Sequence, residues 1–182
     1  MPEIVDRYRA IADAFSARVD AVPGDRWSSP APCEGWTTRD VVAHVASGHR
    51  RILAGLAGAE PQPVTADEDA AAAWRTAYAD MVKTASDPDA VNQTYQSPMG
   101  PMPLGQFMGR MLTTEILVHT WDLARAAGLD ERLDQDAVGH AYEGLKPLDA
   151  MLRQPGAFGP KVDPPAGADL QTEFLCFLGR RV

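Results

Sequence analysis

Between Leu104 and Ala127 ten large apolar side chains cover nearly the whole circumference of a helix: Leu104, Phe107, Met108, Met111, Leu112, Ile116, Leu117, Val118, Trp121 and Leu123. A helix that is apolar all round cannot lie on a surface, so other elements must pack around it. Gly128 supplies its stop. This one segment restricts the chain to folds with a central helix and several partners.

The partners are legible in the same way. Residues 3–21 place Ile4, Tyr8, Ile11, Phe15 and Val19 at steps of three and four, with charges on the remaining arc. That spacing predicts an amphipathic helix ended by Pro23 and Gly24. The stretch RWSSPAPCEGW is read as a loop, because Pro30 and Pro32 disfavour helix. Thr37, with Asp40 three residues on, predicts a capped helix running to about Leu56 and closed by Gly58 and Pro61. Thr65 with Glu68 predicts the start of a third helix, ending near Ala85 before Asp87–Pro88. Residues 91–103 combine β-favouring Val91, Thr94 and Tyr95 with Pro98, Gly100, Pro101 and Pro103, which predicts a short hairpin or extended excursion. A fifth helix is expected over 134–153. The Pro/Gly loop QPGAFGPKVDPPAGA and a short apolar helix, DLQTEFLCFLG, follow it. The expected architecture is an all-α four-helix bundle with a short hairpin excursion and extra C-terminal helices, a single domain over 1–182.

Composition narrows the function classes. There are 25 Asp and Glu against 17 Lys and Arg, a net charge of -8, which argues against nucleic acid as a partner. No apolar run approaches the roughly 20 residues of a membrane span, and the charged MPEIVDRYRA does not read as a signal peptide. Cys33 and Cys176 form no CxxC motif, so a reduced, cytoplasmic protein is expected. Serine-hydrolase, phosphate-loop and dinucleotide motifs are absent from the sequence.

Within the central helix, Glu115, His119 and Asp122 share one stripe at spacings of four and three. Burying a carboxylate and an imidazole is costly without a partner. An isolated ExxxH is also what an intrahelical Glu–His pair looks like, so the spacing alone leaves two readings open. His44 adds a third group, beside Val41, Val45 and Gly48 on the apolar side of its own helix. Two histidines and a glutamate from neighbouring bundle helices form a donor set that suits a divalent cation with coordination positions to spare. Asp122 is either the acceptor that orients the His119 ring or a partner of Arg125. His49 lies about 140° round the helix from His44 and cannot aim at the same point. His140 is read as a boundary residue and Cys176 as a core thiol. Cys33 sits beside Glu34, whose charge would raise a thiol pKa, so it is not taken as a nucleophile. Arg39 and Arg110 are candidate anion anchors with ordinary surface roles as the alternative.

The segments SPAPCEGWTTRDVVAHVASGHRRILAGLAG, TTEILVHTWDLARAAG and DLQTEFLCFLGR resemble an actinobacterial family of DinB-like metal-binding proteins. That family is related to the N-terminal domain of mycothiol-dependent maleylpyruvate isomerase. Fourteen Arg against three Lys agrees with a GC-rich source. The resemblance implies one divalent metal, usually zinc with nickel or iron as alternatives, held by His44, Glu115 and His119. It also implies transfer or isomerisation with a low-molecular-weight thiol such as mycothiol and a small electrophile. Unlike the isomerase, the chain is expected to act without an additional C-terminal domain, so maleylpyruvate is not its expected substrate. A metal-dependent hydrolase and a non-enzymatic, metal-stabilised binding protein are the alternatives. Bundles of this size often pair through an exposed apolar face, so a homodimer is a further expectation.

Overall fold

The computed structural model describes residues 2–97, 99–153 and 158–182, which divide into two compact units, one up to Glu131 and one from Arg132 onward. Pro98, expected as a turn-maker, and residues 154–157 of the Pro/Gly loop lie outside the described residues.

The first unit is a four-helix bundle. Helices α1 (Pro2–Ala21), α2 (Thr38–Ala57), α3 (Ala70–Ala85) and α6 (Thr113–Ala127) form a ring in which α1 packs on α6, α6 on α2, α2 on α3, and α3 on α1. The predicted stripe of α1 supplies Tyr8, Ile11, Phe15 and Val19 to the core, and each such fully buried side chain contributes about 1.5–3 kcal/mol. Trp74 of α3 is fully buried, edge-on to Phe15 at 4.9 Å and stacked on Tyr78 at 5.4 Å. Its indole N–H donates to Ser16 Oγ at 2.9 Å.

Helix α2 begins as its capping box predicts. Thr37 accepts from the Asp40 amide while the Asp40 carboxylate accepts from the Thr37 amide, and Gly58 closes the helix at φ 65°. Helix α3 departs from expectation. Its cap is Asp69, which accepts from Ala71 and Ala72, and the Thr65–Glu68 pair is used otherwise. Arg39 donates to the carbonyls of Thr65 and Glu68, and Arg50 pairs with the Glu68 carboxylate. With Glu68 engaged, the next acidic residue takes the helix end. Asp87–Pro88 stops α3 as expected and also starts a further turn, α4 (Pro88–Asn92), with proline at the first position, where its missing N–H costs nothing.

The hairpin pairs β1 (Thr94–Ser97) antiparallel with β2 (Gly100–Pro103). Tyr95 is buried and packs on Phe107 at 4.9 Å. The segment expected as one helix over 104–127 is interrupted. A short α5 (Leu104–Phe107) passes through a π-helical turn, Met108–Leu112, before α6. Two features account for the widened turn. Gly109 lets Ile4 of α1 approach closely, since a Cβ there would lie 3.3 Å from Ile4 Cγ2. The hydroxyls of Thr113 and Thr114 donate back to the carbonyls of Gly109 and Arg110.

In the second unit α7 (Gln135–Leu145) packs on α9 (Leu170–Phe177). Asp134 caps α7, accepting from the Ala137 amide, but the helix predicted over 134–153 ends early. Pro147 removes a donor and disfavours helix in the residue before it, so a 3-10 turn (Lys146–Leu148) and α8 (Asp149–Leu152) finish the span. Cys176 is buried in α9, and burial pushes its thiol pKa up. His140 is exposed on α7. No described helix is long and apolar enough to cross a membrane.

Candidate metal centre

Helices α2 and α6 are neighbours in the ring, and their facing sides carry the three residues singled out by helical phase. His44 Nε2 lies 3.1 Å from Glu115 Oε1, and ligand atoms of His44, Glu115 and His119 all fall within 4.8 Å of one another. Bonds of about 2.0–2.1 Å at tetrahedral angles separate two N or O ligands by about 3.3 Å, so the spacing fits one small cation. The His44 and Glu115 side chains are 36% and 29% exposed, whereas that of His119 is 7% exposed, so the group opens to solvent on one side only.

Each side chain is set by its surroundings. Gly48, one turn beyond His44, leaves the space that the Glu115 carboxylate fills; a Cβ there would sit 3.3 Å from Oε1. Burial pushes the Glu115 carboxyl up, but the hydrogen bond from His44 and the pull of the neighbouring imidazoles prevail and hold it below the usual carboxylate range. His119 Nδ1–H donates to Asp122 Oδ2 at 2.9 Å, which leaves Nε2 as the ring's remaining ligand nitrogen. Asp122 is fully buried, so of its two sequence readings the geometry realises the ring-orienting contact, and Arg125 reaches Glu131.

Two neighbours were not singled out by periodicity. Trp36 lies 4.7 Å from His44 and is stacked on His119 at 5.9 Å. Cys33 donates its thiol to Asp122 Oδ2 at 3.4 Å. Both sit in the loop before α2, which the Pro30–Thr37 bridge and the Ala31-to-Trp36 backbone bond at 2.8 Å hold in place. Its tip is a turn closed by Trp36 N–H on Cys33 O, with Gly35 at φ 77°, a conformation that a side chain would strain. The CEGW string carried the signal as a turn motif; its position over the histidines rests on the contacts of Cys33 with Asp122 and of Trp36 with His44 and His119.

The other candidates lie apart from the centre. His49 is fully buried, donates from Nδ1 to Val45 O at 2.8 Å and accepts the Tyr8 hydroxyl on Nε2 at 3.0 Å. Arg39 anchors the segment before α3, and Arg110 is exposed on the π turn.

Two expected results follow. Gly48→Ala removes the space beside Glu115 while improving helix propensity by up to about 1 kcal/mol. Metal affinity, measured by competition with a chromophoric chelator, should fall roughly tenfold, an effect comparable to that of disturbing a ligand's support, and the melting temperature of metal-free protein should not drop. Unchanged affinity would refute the spacing argument. The second concerns His49. Burial, against the opposing pull of the Val45 carbonyl and Glu115, lowers its pKa from 6.5 to about 4. A folded-state pKa below the unfolded one means that the unfolded chain takes the proton first. Stability should therefore be lost as pH falls from about 6.5 toward 4, by on the order of 3 kcal/mol from this group. Urea unfolding of chelator-treated protein across that window should show a shallower pH slope in His49→Gln than in wild type.

Comparison with known proteins places the chain in a family. The family described as the mycothiol maleylpyruvate isomerase N-terminal domain matches residues 8–124, the stretch that contains both site helices. Two uncharacterized proteins, from two strains of Mycobacterium tuberculosis, are each 31% identical over 178 residues, covering 96% of this chain and 96% of theirs. Among solved structures, the crystal structure of the mycothiol-dependent maleylpyruvate isomerase superposes with a TM-score of 0.57 at 19% identity, over 84% of this chain and 69% of that one. A histidine-to-alanine mutant of that isomerase gives 0.59 at 18% identity, over 92% and 78%. At these identities the structural likeness speaks for the fold.

Proposed function

The chain belongs to the mycothiol maleylpyruvate isomerase N-terminal domain family, and from that premise we propose that it is a metal-dependent enzyme that activates a low-molecular-weight thiol, mycothiol being the first choice, toward a small electrophile. The observation that carries the reading is the convergence of His44, Glu115 and His119 at a partly open position between α2 and α6. Two neutral imidazoles and one carboxylate are a donor set suited to zinc with room for a further ligand, and nickel or iron are the alternatives.

When bound there, a divalent cation supplies Lewis acidity and favours the thiolate form of a thiol cofactor at neutral pH. The chain's own groups do the positioning. Asp122 holds the His119 ring by Nδ1, which leaves Nε2 available as a ligand. Glu115 supplies one negative charge, which leaves the centre net positive and attractive to a thiolate. Trp36 stacks on the His119 ring and lies tilted against that of His44. Neither cysteine is proposed as the nucleophile: Cys176 is buried in the other unit, and Cys33 donates to a carboxylate. The reacting sulfur therefore arrives with the cofactor. Transfer of the thiol to the electrophile, or its addition and elimination to isomerise a double bond, are the two outcomes available. The reading places the protein in the reducing cytoplasm, and a homodimer is part of the proposal.

The test is thiol consumption by metal-loaded protein with mycothiol across a panel of electrophiles, with His44→Ala as control. Turnover lost in the variant supports the reading. Absence of turnover across the panel, with metal present, overturns it.

A further inference from the structure

A second convergence of donors shares His119 with the first. Cys33 Sγ is 3.4 Å from Asp122 Oδ2, which is 2.9 Å from His119 Nδ1, and ligand atoms of all three fall within 4.8 Å of one another. Bonds of about 2.3 Å to sulfur and about 2.0 Å to oxygen at a tetrahedral centre separate S and O by about 3.5 Å, close to the spacing seen. Cys33 is partly accessible, so an ion has an approach, while Asp122 and His119 are buried and held in place. The carboxylate of Asp122 supplies negative charge that attracts a cation to this cluster.

We infer that Cys33, Asp122 and His119 form a second cation position, selective for divalent ions softer than zinc, such as cadmium. It shares His119 with the position proposed above but does not rest on the thiol-transfer reading. Occupancy releases the Cys33 thiol proton to solvent and moves the imidazole proton from Nδ1 to Nε2, freeing Nδ1 as ligand. A ring protonated at Nε2 no longer serves His44 and Glu115, so the two positions compete for one imidazole. Ions that favour oxygen and nitrogen donors fill the first, and softer ions shift to the second.

The experiment is a cadmium titration of the full-length, metal-free protein, read by the ultraviolet sulfur-to-cadmium charge-transfer band. Wild type and Cys176→Ser should show a band that saturates at one equivalent, and Cys33→Ser should lack it. His44→Ala should keep the band, because His44 lies outside this cluster; its zinc stoichiometry separately tests the first position. A wild type without the band, or a band that survives Cys33→Ser, overturns the inference. Should Cys33→Ser fail to fold, alkylation of wild type mapped by mass spectrometry decides: cadmium should protect Cys33 from iodoacetamide, and equal labelling with and without the ion overturns the proposal.

Discussion

Replacing His119 with alanine is expected to abolish stoichiometric zinc binding, because this ring is the most enclosed of the three ligand candidates and the one whose orientation a buried carboxylate sets. Structural zinc sites bind with about 10–16 kcal/mol, so a ligand's share is roughly 3 kcal/mol, a loss of over two orders of magnitude in affinity. His44→Ala should behave similarly. Metal analysis of untagged, dialysed protein by inductively coupled plasma mass spectrometry checks both. If either variant retains one equivalent, the assignment of the centre is wrong. The His119 variant also removes one donor from the buried Asp122 carboxylate, so it should unfold at lower temperature than His44→Ala, whose side chain is more open.

The largest effect on stability is expected at Trp74. Its ring is buried among Phe15, His49 and Tyr78, and its N–H is bonded to Ser16, so it joins α3 to α1 and α2. Trp74→Ala should cost about 3–5 kcal/mol, a large part of the 5–15 kcal/mol that a domain has. Calorimetry should show a fall in melting temperature on the order of 10 °C. Trp74→Phe keeps most of the ring and loses the bond to Ser16, so it should cost only about 1–2 kcal/mol. Equal losses in the two variants would show that the hydrogen bond, not the packing, holds the bundle together.

What was legible before the structure was whatever depends on helical phase. Glu115 and His119 lie on one stripe, His44 lies on an apolar face of another helix, and those facts alone bring the three near one another once α2 and α6 are neighbours. Features that depend on contacts between distant segments were not legible. Cys33 meets the centre through Asp122, 89 residues away, and Trp36 through its packing on His44 and His119. The cap of α3 moved to Asp69 because Arg50 engages Glu68. At the π turn Ile4, over a hundred residues earlier, packs over Gly109 where a Cβ would crowd it. In α7 the signal was present in Pro147, whose effect on the preceding residue outweighs the helical period.

The ring order of the bundle has a kinetic consequence. His44 and Glu115 come from helices that are neighbours in space but separated along the chain by α3, α4 and the hairpin. A cation gripped by both is a clip across a long loop, and it can close only after the topology is already built. Metal should therefore do little for the rate at which the chain folds and much for the time it stays folded, because the clip acts after the transition state and must open before the helices part. For a protein of this kind, metal supply would govern lifetime rather than assembly.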